Sequence, residues 1–380
     1  MLAVAPWDLE PNLPWSVFTS PAEQWASLPS FLVGEYLFYA CTIVALIHAI
    51  RCGRGHVMAW VAALLAGTAN DLIFMALPMV DNFWQAQATI MLTPRLPLYI
   101  PCVYVCFMYF PTVAVWRLGL PRLAQATLTG VTASLFYAPY DIVGAKFLWW
   151  TWHDTDMPIA NRLLGVPVGS TMWIITFVSA FALFLSWGRR CDDPKDFGKV
   201  ATKGFVAAIL LSTTAMGLQM QPLQLLDGGI PGPVGLVFIA SLYLGIAAWQ
   251  WRRRLPGLGC ESDGLLRGAA IAYFAGLALI MAAFDPATHR SESMHQVYGA
   301  CHVEAKDILG FTRYEFVCAE DFDEDYSFAC VDALPAEGSP WYTVCGRAHT
   351  DYPRYLGVVA TLATLGILFF GGALRRRRDD

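Results

Sequence analysis

A short segment of the chain places ionisable and aromatic side chains together in otherwise apolar surroundings. The segment is YDIVGAKFLWWTWHDTDMPIANRLLGVPVGS, residues 140–170. A further acid follows an asparagine in GTANDLIF, inside another apolar stretch. Ionisable side chains are costly inside a membrane and often mark functional sites there. The predicted catalytic residues are Asp71, Asp141, Lys146, His153 and Asp154.

The two buried acids suit acid catalysis. A carboxyl group among apolar side chains stays protonated, so Asp141, aided by Asp71, can donate a proton to a double bond or an epoxide. Aromatic ring faces stabilise a cation that then develops on the substrate. The predicted pocket residues are Glu35, Tyr140, Trp149 and Trp152.

Each of these residues also has a structural interpretation. Lys146 can form an inter-helix ion pair, for example with Glu35 or Asp71. His153, with the acid that follows it, can act as a proton shuttle or as half of a metal site, but a solvated interfacial loop explains the same residues. The tryptophans fit an interfacial aromatic belt. We therefore assign no metal and no cofactor.

Nine apolar stretches predict membrane-spanning helices that position these residues. Crossing about 30 Å of hydrocarbon takes about 20 residues of helix. The prediction is an all-α polytopic membrane protein with about nine transmembrane helices. They lie near 31–50, 57–78, 98–116, 123–149, 168–187, 203–222, 232–251, 266–284 and 355–374.

The distribution of basic residues predicts the topology. With nine spans and a cytosolic C-terminus, the cytosolic loops and tail hold 17 of the 25 Lys and Arg residues. This is the positive-inside bias. The N-terminus is then lumenal or extracellular. The Arg-rich tail and the stapled loop described next favour the endoplasmic reticulum or a later secretory membrane.

A small external domain is predicted at residues 285–354. It has 13 acidic and five basic residues and four cysteines. In an oxidising compartment an even set of cysteines indicates disulfides, which stabilise a domain with a small core. Three pairings are open. The predicted disulfide residues are Cys301, Cys318, Cys330 and Cys345.

The other six cysteines have different surroundings. Cys41, Cys102 and Cys106 lie within predicted spans and are expected to pack as small apolar residues. The remaining three, Cys52, Cys191 and Cys260, lie at or in the predicted cytosolic loops. Thiols stay reduced there, so free cysteines are expected.

Composition limits the classes of partner. The chain is 56% hydrophobic and 14% charged, against about a quarter charged in ordinary globular proteins. The bilayer is thus the first partner, and no basic patch interleaved with aromatic residues supports nucleic-acid binding. A protein partner of the external domain stays undefined. The predicted divisions are 1–30 external, 31–284 an eight-helix membrane domain, 285–354 external, 355–374 the ninth helix and 375–380 a basic cytosolic tail.

Two resemblances follow from these motifs. The segments YDIVGAKFLWWTWHDTD, GVPVGS and HQVYGACHVEAKDILGFTRYEFVC resemble an uncharacterised eukaryotic multi-pass membrane family, a domain of unknown function, which implies no activity. A shorter stretch is similar to the membrane carotenoid hydratases and lycopene cyclases. In those families an intramembrane Asp precedes Trp-x-Trp and a Gly-Val-Pro turn, as Asp141, Trp150 and Gly165 begin such motifs here.

Three function classes remain open. The first is an intramembrane enzyme that acts on an isoprenoid or another lipid by acid catalysis. The second is a transporter or channel, which broken helices and buried charges also suit. The third is a receptor or scaffold whose external domain binds a partner. Clustering of the polar residues near one interface favours the enzyme.

Overall fold

The structure is a computed structural model that describes residues 13–77, 82–152, 159–189, 194–257, 259–306, 312–319 and 325–375. Helices make up most of this described part. They are α1 (Pro21–Ser27), α2 (Pro29–Cys52), α3 (Arg54–Ala76), α4 (Tyr99–Trp116), α5 (Arg122–Lys146), α6 (Val168–Arg189), α7 (Pro194–Leu210), α8 (Ser212–Leu225), α9 (Pro233–Gln250), α10 (Asp263–Ala283) and α11 (Tyr352–Ala373).

Seven of the described helices are long and apolar enough to cross a membrane: α2, α3, α4, α6, α9, α10 and α11. Residues Ala201–Leu210 of α7 and helix α8 meet at a bend of 53°, and together they make an eighth candidate. A helix or helix pair thus overlaps each of the nine predicted stretches, but the count of nine spans is not confirmed. Of the other two described helices, α1 has seven residues and α5 does not reach the same apolar composition.

Helix α4 lies at the centre of the bundle, and every residue in it except Cys102 is buried. Small residues bring its neighbours close. A side chain at Gly67 of α3 would lie 2.2 Å from the Tyr104 ring, and one at Gly130 of α5 would lie 2.2 Å from the Ile175 carbonyl oxygen of α6. Such close approach gives extensive van der Waals contact between helices, the kind of packing that joins helices in membranes.

The strands lie in the loops and in the segment that joins α10 to α11. They are β1 (Phe83–Gln85), β2 (Trp150–Trp152), β3 (Arg162–Leu163), β4 (Val166–Pro167), β5 (Arg290–Met294), β6 (Glu304–Lys306), β7 (Thr312–Tyr314), β8 (Tyr326–Ser327) and β9 (Trp341–Gly346). Antiparallel β1 and β2 join the α3–α4 loop to the α5–α6 loop, and β3 pairs with β4.

The segment between α10 and α11 folds as a small β structure. Strands β5, β9 and β8 form one sheet in that order, and β6 pairs with β7. The four cysteines pair as Cys301–Cys318 and Cys330–Cys345, which selects one of the three pairings that the sequence left open. An all-α chain was predicted, so these sheets are a correction. The alternating burial along β5 and β9 is the period-2 pattern of a half-buried strand.

This β structure contacts one end of the helix bundle. His289 Nε2 lies 2.8 Å from Ser30 Oγ at the start of α2, and His295 Nδ1 lies 3.3 Å from Thr151 Oγ1 in β2. Burial lowers the pKa of His289 to about 4 and that of His295 to about 3. Both imidazoles are therefore neutral at physiological pH. We call this the disulfide end of the bundle.

The opposite end of the bundle carries the basic loops. Arg117, which follows α4, donates to the Ala373 carbonyl at 3.0 Å and to the Arg375 carbonyl at 2.8 Å. We call this the basic end. Cys52 and Cys260 are bridged here, with their Cα atoms 5.7 Å apart. Free thiols were expected at both positions, so the bridge corrects that prediction. No local pattern could show that the two cysteines lie together, because 208 residues separate them.

Candidate active site

A cavity of about 250 Å³ lies near the disulfide end, among α3, α4, α5, α6 and α8 and beneath the β1–β2 pair. Nine of its lining residues are aromatic. The rings belong to Phe74, Phe83, Tyr104, Phe107, Tyr137, Tyr140, Trp150, Trp152 and Trp173. A largely apolar pocket with a few convergent polar groups is typical of a small-molecule site.

Asp71 contributes a carboxyl group to the cavity wall. Its Oδ1 accepts a hydrogen bond from Tyr104 Oη at 3.0 Å. Its Oδ2 is buried and has no hydrogen-bond partner within the described part of the chain. Native proteins rarely leave such an atom unpaired. Asp71 Oδ2 is therefore available to a bound molecule.

Asp141, on α5, is fully buried one layer behind the wall. Ser170 Oγ donates to its Oδ2 at 2.7 Å, and Ser170 itself lines the cavity. Among the described residues, nothing forms a hydrogen bond with its Oδ1. Ser170 thereby links the second carboxyl to the cavity.

Hydrogen bonds and ring contacts fix the aromatic wall. Asn70 Oδ1 accepts from Trp173 Nε1 at 3.0 Å, while Asn70 Nδ2 donates to Thr213 Oγ1 on α8 at 3.0 Å. The ring centroids of Tyr137 and Tyr140 lie 5.2 Å apart. These bonds preset the ring positions, so ligand binding need not order them.

The strand after α5 places two more rings over the cavity. The centroid of Trp150 lies 4.8 Å from that of Tyr140 and 5.7 Å from that of Trp152. Gly144 makes room for Trp150, because a side chain there would lie 2.0 Å from the indole ring. The Trp-x-Trp motif thus faces the cavity through the alternation of a short strand.

The predicted pocket and catalytic residues divide into two groups. Asp71, Tyr140 and Trp152 line the cavity, and Asp141 reaches it through Ser170. The second group, which lies elsewhere, comprises Glu35, Lys146 and Trp149. His153 and Asp154 fall outside the described residues.

Glu35 and Trp149 have structural contacts. The Glu35 carboxylate accepts from Tyr39 Oη at 2.7 Å and from Thr89 Oγ1 at 2.7 Å, which holds the loop before α4. Trp149 is fully buried and donates Nε1 to Ser30 Oγ at 3.1 Å. Neither side chain lines the cavity.

Lys146 pairs with Asp325 of the β structure, at 2.5 Å, and lies 4.2 Å from the centroid of the Tyr355 ring. Lys146 was suggested to pair with Glu35 or Asp71. In the structure its partner is Asp325, which lies 179 positions later in the chain. Lys146 is the last residue of α5, and its buried side chain contacts the β structure instead of the cavity.

Sequence reasoning missed several cavity residues, among them Tyr104, Tyr137, Ser170 and Trp173. A signal existed for Tyr137 and Tyr140, which are three residues apart and so share a helix face. Tyr104 and Phe107 on α4 have the same spacing. In an apolar helix, however, an aromatic residue on a core face looks like one on a cavity face.

Residues 15–226, more than half of the chain, match the family model of a domain of unknown function, DUF7802. The chain therefore belongs to that family, which confirms the resemblance to an uncharacterised family. No curated protein and no solved structure matches the chain. The resemblance to carotenoid hydratases and lycopene cyclases gains no support from these comparisons.

Proposed function

We propose that this member of the DUF7802 family is an intramembrane enzyme that acts on an isoprenoid or another apolar lipid by acid catalysis. The observation that carries the proposal is the cavity itself, where two buried carboxyl groups with unpaired oxygens adjoin an aromatic wall. All of its lining residues except Pro231 fall inside the segment that matches the family.

The reaction begins with proton donation. Asp71, in its acid form, donates its proton to one carbon of a double bond, or to the oxygen of an epoxide, and becomes a carboxylate. The positive charge develops on the neighbouring substrate carbon, where the ring faces of Tyr137, Tyr140 and Trp173 stabilise it. Water adds to the cation and releases a proton to a carboxylate, or the cation itself loses a proton to a carboxylate; either step restores the acid.

Asp141 and Ser170 have a positioning role in this proposal. The hydroxyl of Ser170 donates to Asp141 and lies on the cavity wall, so the pair can orient water or accept the proton that a cation releases. Two carboxyl groups in different surroundings are a common arrangement for separate acid and base functions.

Helix α8 offers the path from the bilayer. Met216, Gly217 and Met220 belong to the cavity wall, and α8 is one arm of the bent pair. A side chain at Gly217 would contact no described residue within 4 Å. An apolar substrate would pass beside this thinly packed helix.

The topology proposed with this function has nine spans. The N-terminus and residues 285–354 face the lumen or the outside of an endoplasmic reticulum or later secretory membrane, and the C-terminus faces the cytosol. Two disulfides at one end and most basic residues at the other support this orientation. Protease protection of tags placed at the two termini tests it.

The test of the activity compares lipids that co-purify with gently solubilised protein, measured by mass spectrometry. We expect Asp71→Asn, which cannot donate the proton, to accumulate one specific lipid at least tenfold over wild type. Asp141→Asn should do the same if it acts in a later step.

Glu35→Gln is the matched control, because it also replaces a buried carboxyl of a span but lies away from the cavity. The same bulk lipids on all four proteins would refute the enzyme. Equal accumulation of one unmodified solute on wild type and both Asp variants would favour transport. If deletion of residues 285–354 abolishes the cellular function while Asp71→Asn retains it, a receptor or scaffold is favoured.

A further inference from the structure

Four side chains with metal-binding chemistry meet at the basic end, far from the cavity. They are His48 and Cys52 on α2, and Cys260 and Asp263 at the start of α10. One ligand atom from each lies within 4.8 Å of all the others. His48 and Cys52 are four residues apart on one helix, so they share a face.

The contacts within this group aim its donor atoms at one point. His48 Nε2 lies 2.8 Å from Asp263 Oδ1 and 3.3 Å from Cys52 Sγ. Ligands of a tetrahedral zinc ion are separated by roughly 3 to 4 Å, given metal–ligand bonds of about 2.0 to 2.3 Å. In the structure the two sulfur atoms are bonded to each other, so reduction of this disulfide must come before small side-chain movements can bring all four atoms to those distances.

Neighbouring residues hold two of the donors in place. His48 Nδ1 lies 2.8 Å from Tyr109 Oη, which orients the ring so that Nε2 faces the group. Asp263 Oδ2 bonds to Arg117 and accepts from the Cys260 backbone N–H at 2.9 Å, which leaves Oδ1 facing His48. Metal-binding imidazoles and carboxylates are usually oriented in this way.

Whether Cys52 and Cys260 are reduced or oxidised depends on the compartment that this end of the bundle faces. Cys301–Cys318 and Cys330–Cys345 lie at the disulfide end, and Cys52 and Cys260 lie at the basic end. If the chain spans a membrane, these ends face different compartments. Disulfides persist on the oxidising side, while basic loops mark the cytosol, where thiols are kept reduced.

We propose that His48, Cys52, Cys260 and Asp263 bind one zinc ion when Cys52 and Cys260 are reduced. Binding replaces the two thiol protons, which are released to water, and no electrons are exchanged. Two thiolates, one carboxylate and the ion sum to a single negative charge, which Arg117 beside Asp263 neutralises. The mixed nitrogen, sulfur and oxygen donors match zinc.

Four protein ligands fill the coordination sphere, so the ion has a structural role. It joins the end of α2, inside the family-matched segment, to the start of α10, outside it. This site does not depend on the proposed enzyme, because it shares no residue with the cavity.

The test is elemental analysis of the full-length protein, purified in detergent under reducing conditions and after exposure to zinc and gel filtration. We expect about one zinc ion per chain in wild type. Cys52→Ser and Asp263→Asn should each lower the zinc content at least tenfold. Cys41→Ser, a free buried cysteine on the same helix, is the matched control and should retain the ion.

A second measurement uses wild type alone, in case the variants do not fold. Replacing zinc by cobalt should give the near-ultraviolet absorption of a thiolate–cobalt bond. Maleimide labelling of Cys52 and Cys260 in isolated membranes should increase when a chelator removes the metal. A wild-type protein without zinc or a cobalt–thiolate band, whose two cysteines label only after a reductant is added, would overturn the proposal and leave a plain disulfide.

Discussion

The position of the Asp141 carboxyl depends on a single hydroxyl. Ser170, at the start of α6, donates this hydrogen bond. It follows the turn at Gly165, whose φ of 81° favours glycine. The turn therefore decides which side chain of α6 reaches α5. Asp141 Oδ1 lacks a partner in the described part of the chain, so loss of the Ser170 bond would leave Oδ2 unpaired as well.

Ser170→Ala leaves a second oxygen of Asp141 unpaired. An unsatisfied buried acceptor costs about 1–3 kcal/mol, so we expect the free energy of unfolding in detergent to fall by that amount. Ser186→Ala on the same helix is the control, because its hydroxyl only returns to the Leu183 carbonyl. Equal stability of the two variants would show that the bond to Asp141 contributes nothing.

Some site residues could be predicted from the sequence by their chemistry, and others could not. Asp71 and Asp141 stand out because an acid in an apolar helix is costly. Tyr104 and Trp173 do not, because their aromatic rings are ordinary in a core. The partner of Lys146 could not be predicted either. Asp325 belongs to a separate acidic segment, and no local sequence pattern predicts that this segment packs against α5.

At the scale of helices, glycine positions distinguish tight contacts from open faces. Helices α5 and α6 meet at Gly130, where an added side chain would lie 2.2 Å from the Ile175 carbonyl oxygen and 3.0 Å from the Ser179 side chain. Both are part of α6, and a backbone atom cannot rotate away. The distance between the two helices therefore depends on the absence of a Cβ atom.

Gly130→Ala should force α5 and α6 apart and destabilise the protein by about 1–3 kcal/mol, the usual cost of overpacking. Gly245→Ala on α9 is the matched control, since a side chain there would contact nothing within 4 Å. That substitution should be neutral or stabilise by up to about 1 kcal/mol through helix propensity. Thermal unfolding of both variants measures the difference. Equal midpoints would contradict this account of the α5–α6 contact.

Helix positions followed from hydropathy alone, because a span needs a long apolar run. The bend between α7 and α8 and the sheets between α10 and α11 did not follow. Both depend on tertiary contacts: α8 is held by Asn70 through Thr213, and β5 pairs with a strand about 50 residues later in the chain. Strand pairs this short have little local signal of their own.

For the whole molecule, the β structure is attached to the bundle through neutral histidines. His289 and His295 have pKa values of about 4 and about 3 in the folded chain, against an ordinary 6.5. The unfolded segment therefore binds protons that the folded one excludes as the pH falls below 6.5. The stability from these residues is fully present above that pH and decreases progressively in acid.

Acidification from pH 7 to pH 5 should therefore weaken the folded β structure by about 2 kcal/mol for each histidine. Hydrogen exchange of residues 285–306 at the two pH values measures this loss. His295→Asn, which does not titrate, should remove about half of the pH dependence. His302→Asn, at an exposed position in the same segment, should leave it unchanged. A wild-type protein with equal protection at both pH values would contradict the prediction.

The proposed zinc site shows why some sites escape sequence reasoning. Its two cysteines are 208 residues apart, and no short motif relates them. His48 and Cys52 alone look like an ordinary pair on one helix. Only the placement of α10 beside α2 supplies the other two donors, and that placement is a property of the whole bundle.

The contacts of α2 also bear on the order in which the chain is assembled. Ser30 in its first turn contacts His289 as well as Trp149, and its last residue is bonded to Cys260. His289 and Cys260 are synthesised only after the complete family-matched segment. Helix α2 is therefore synthesised well before these two neighbours, and nascent chains that stop before α10 should expose its Cys52 end to chaperones and quality control.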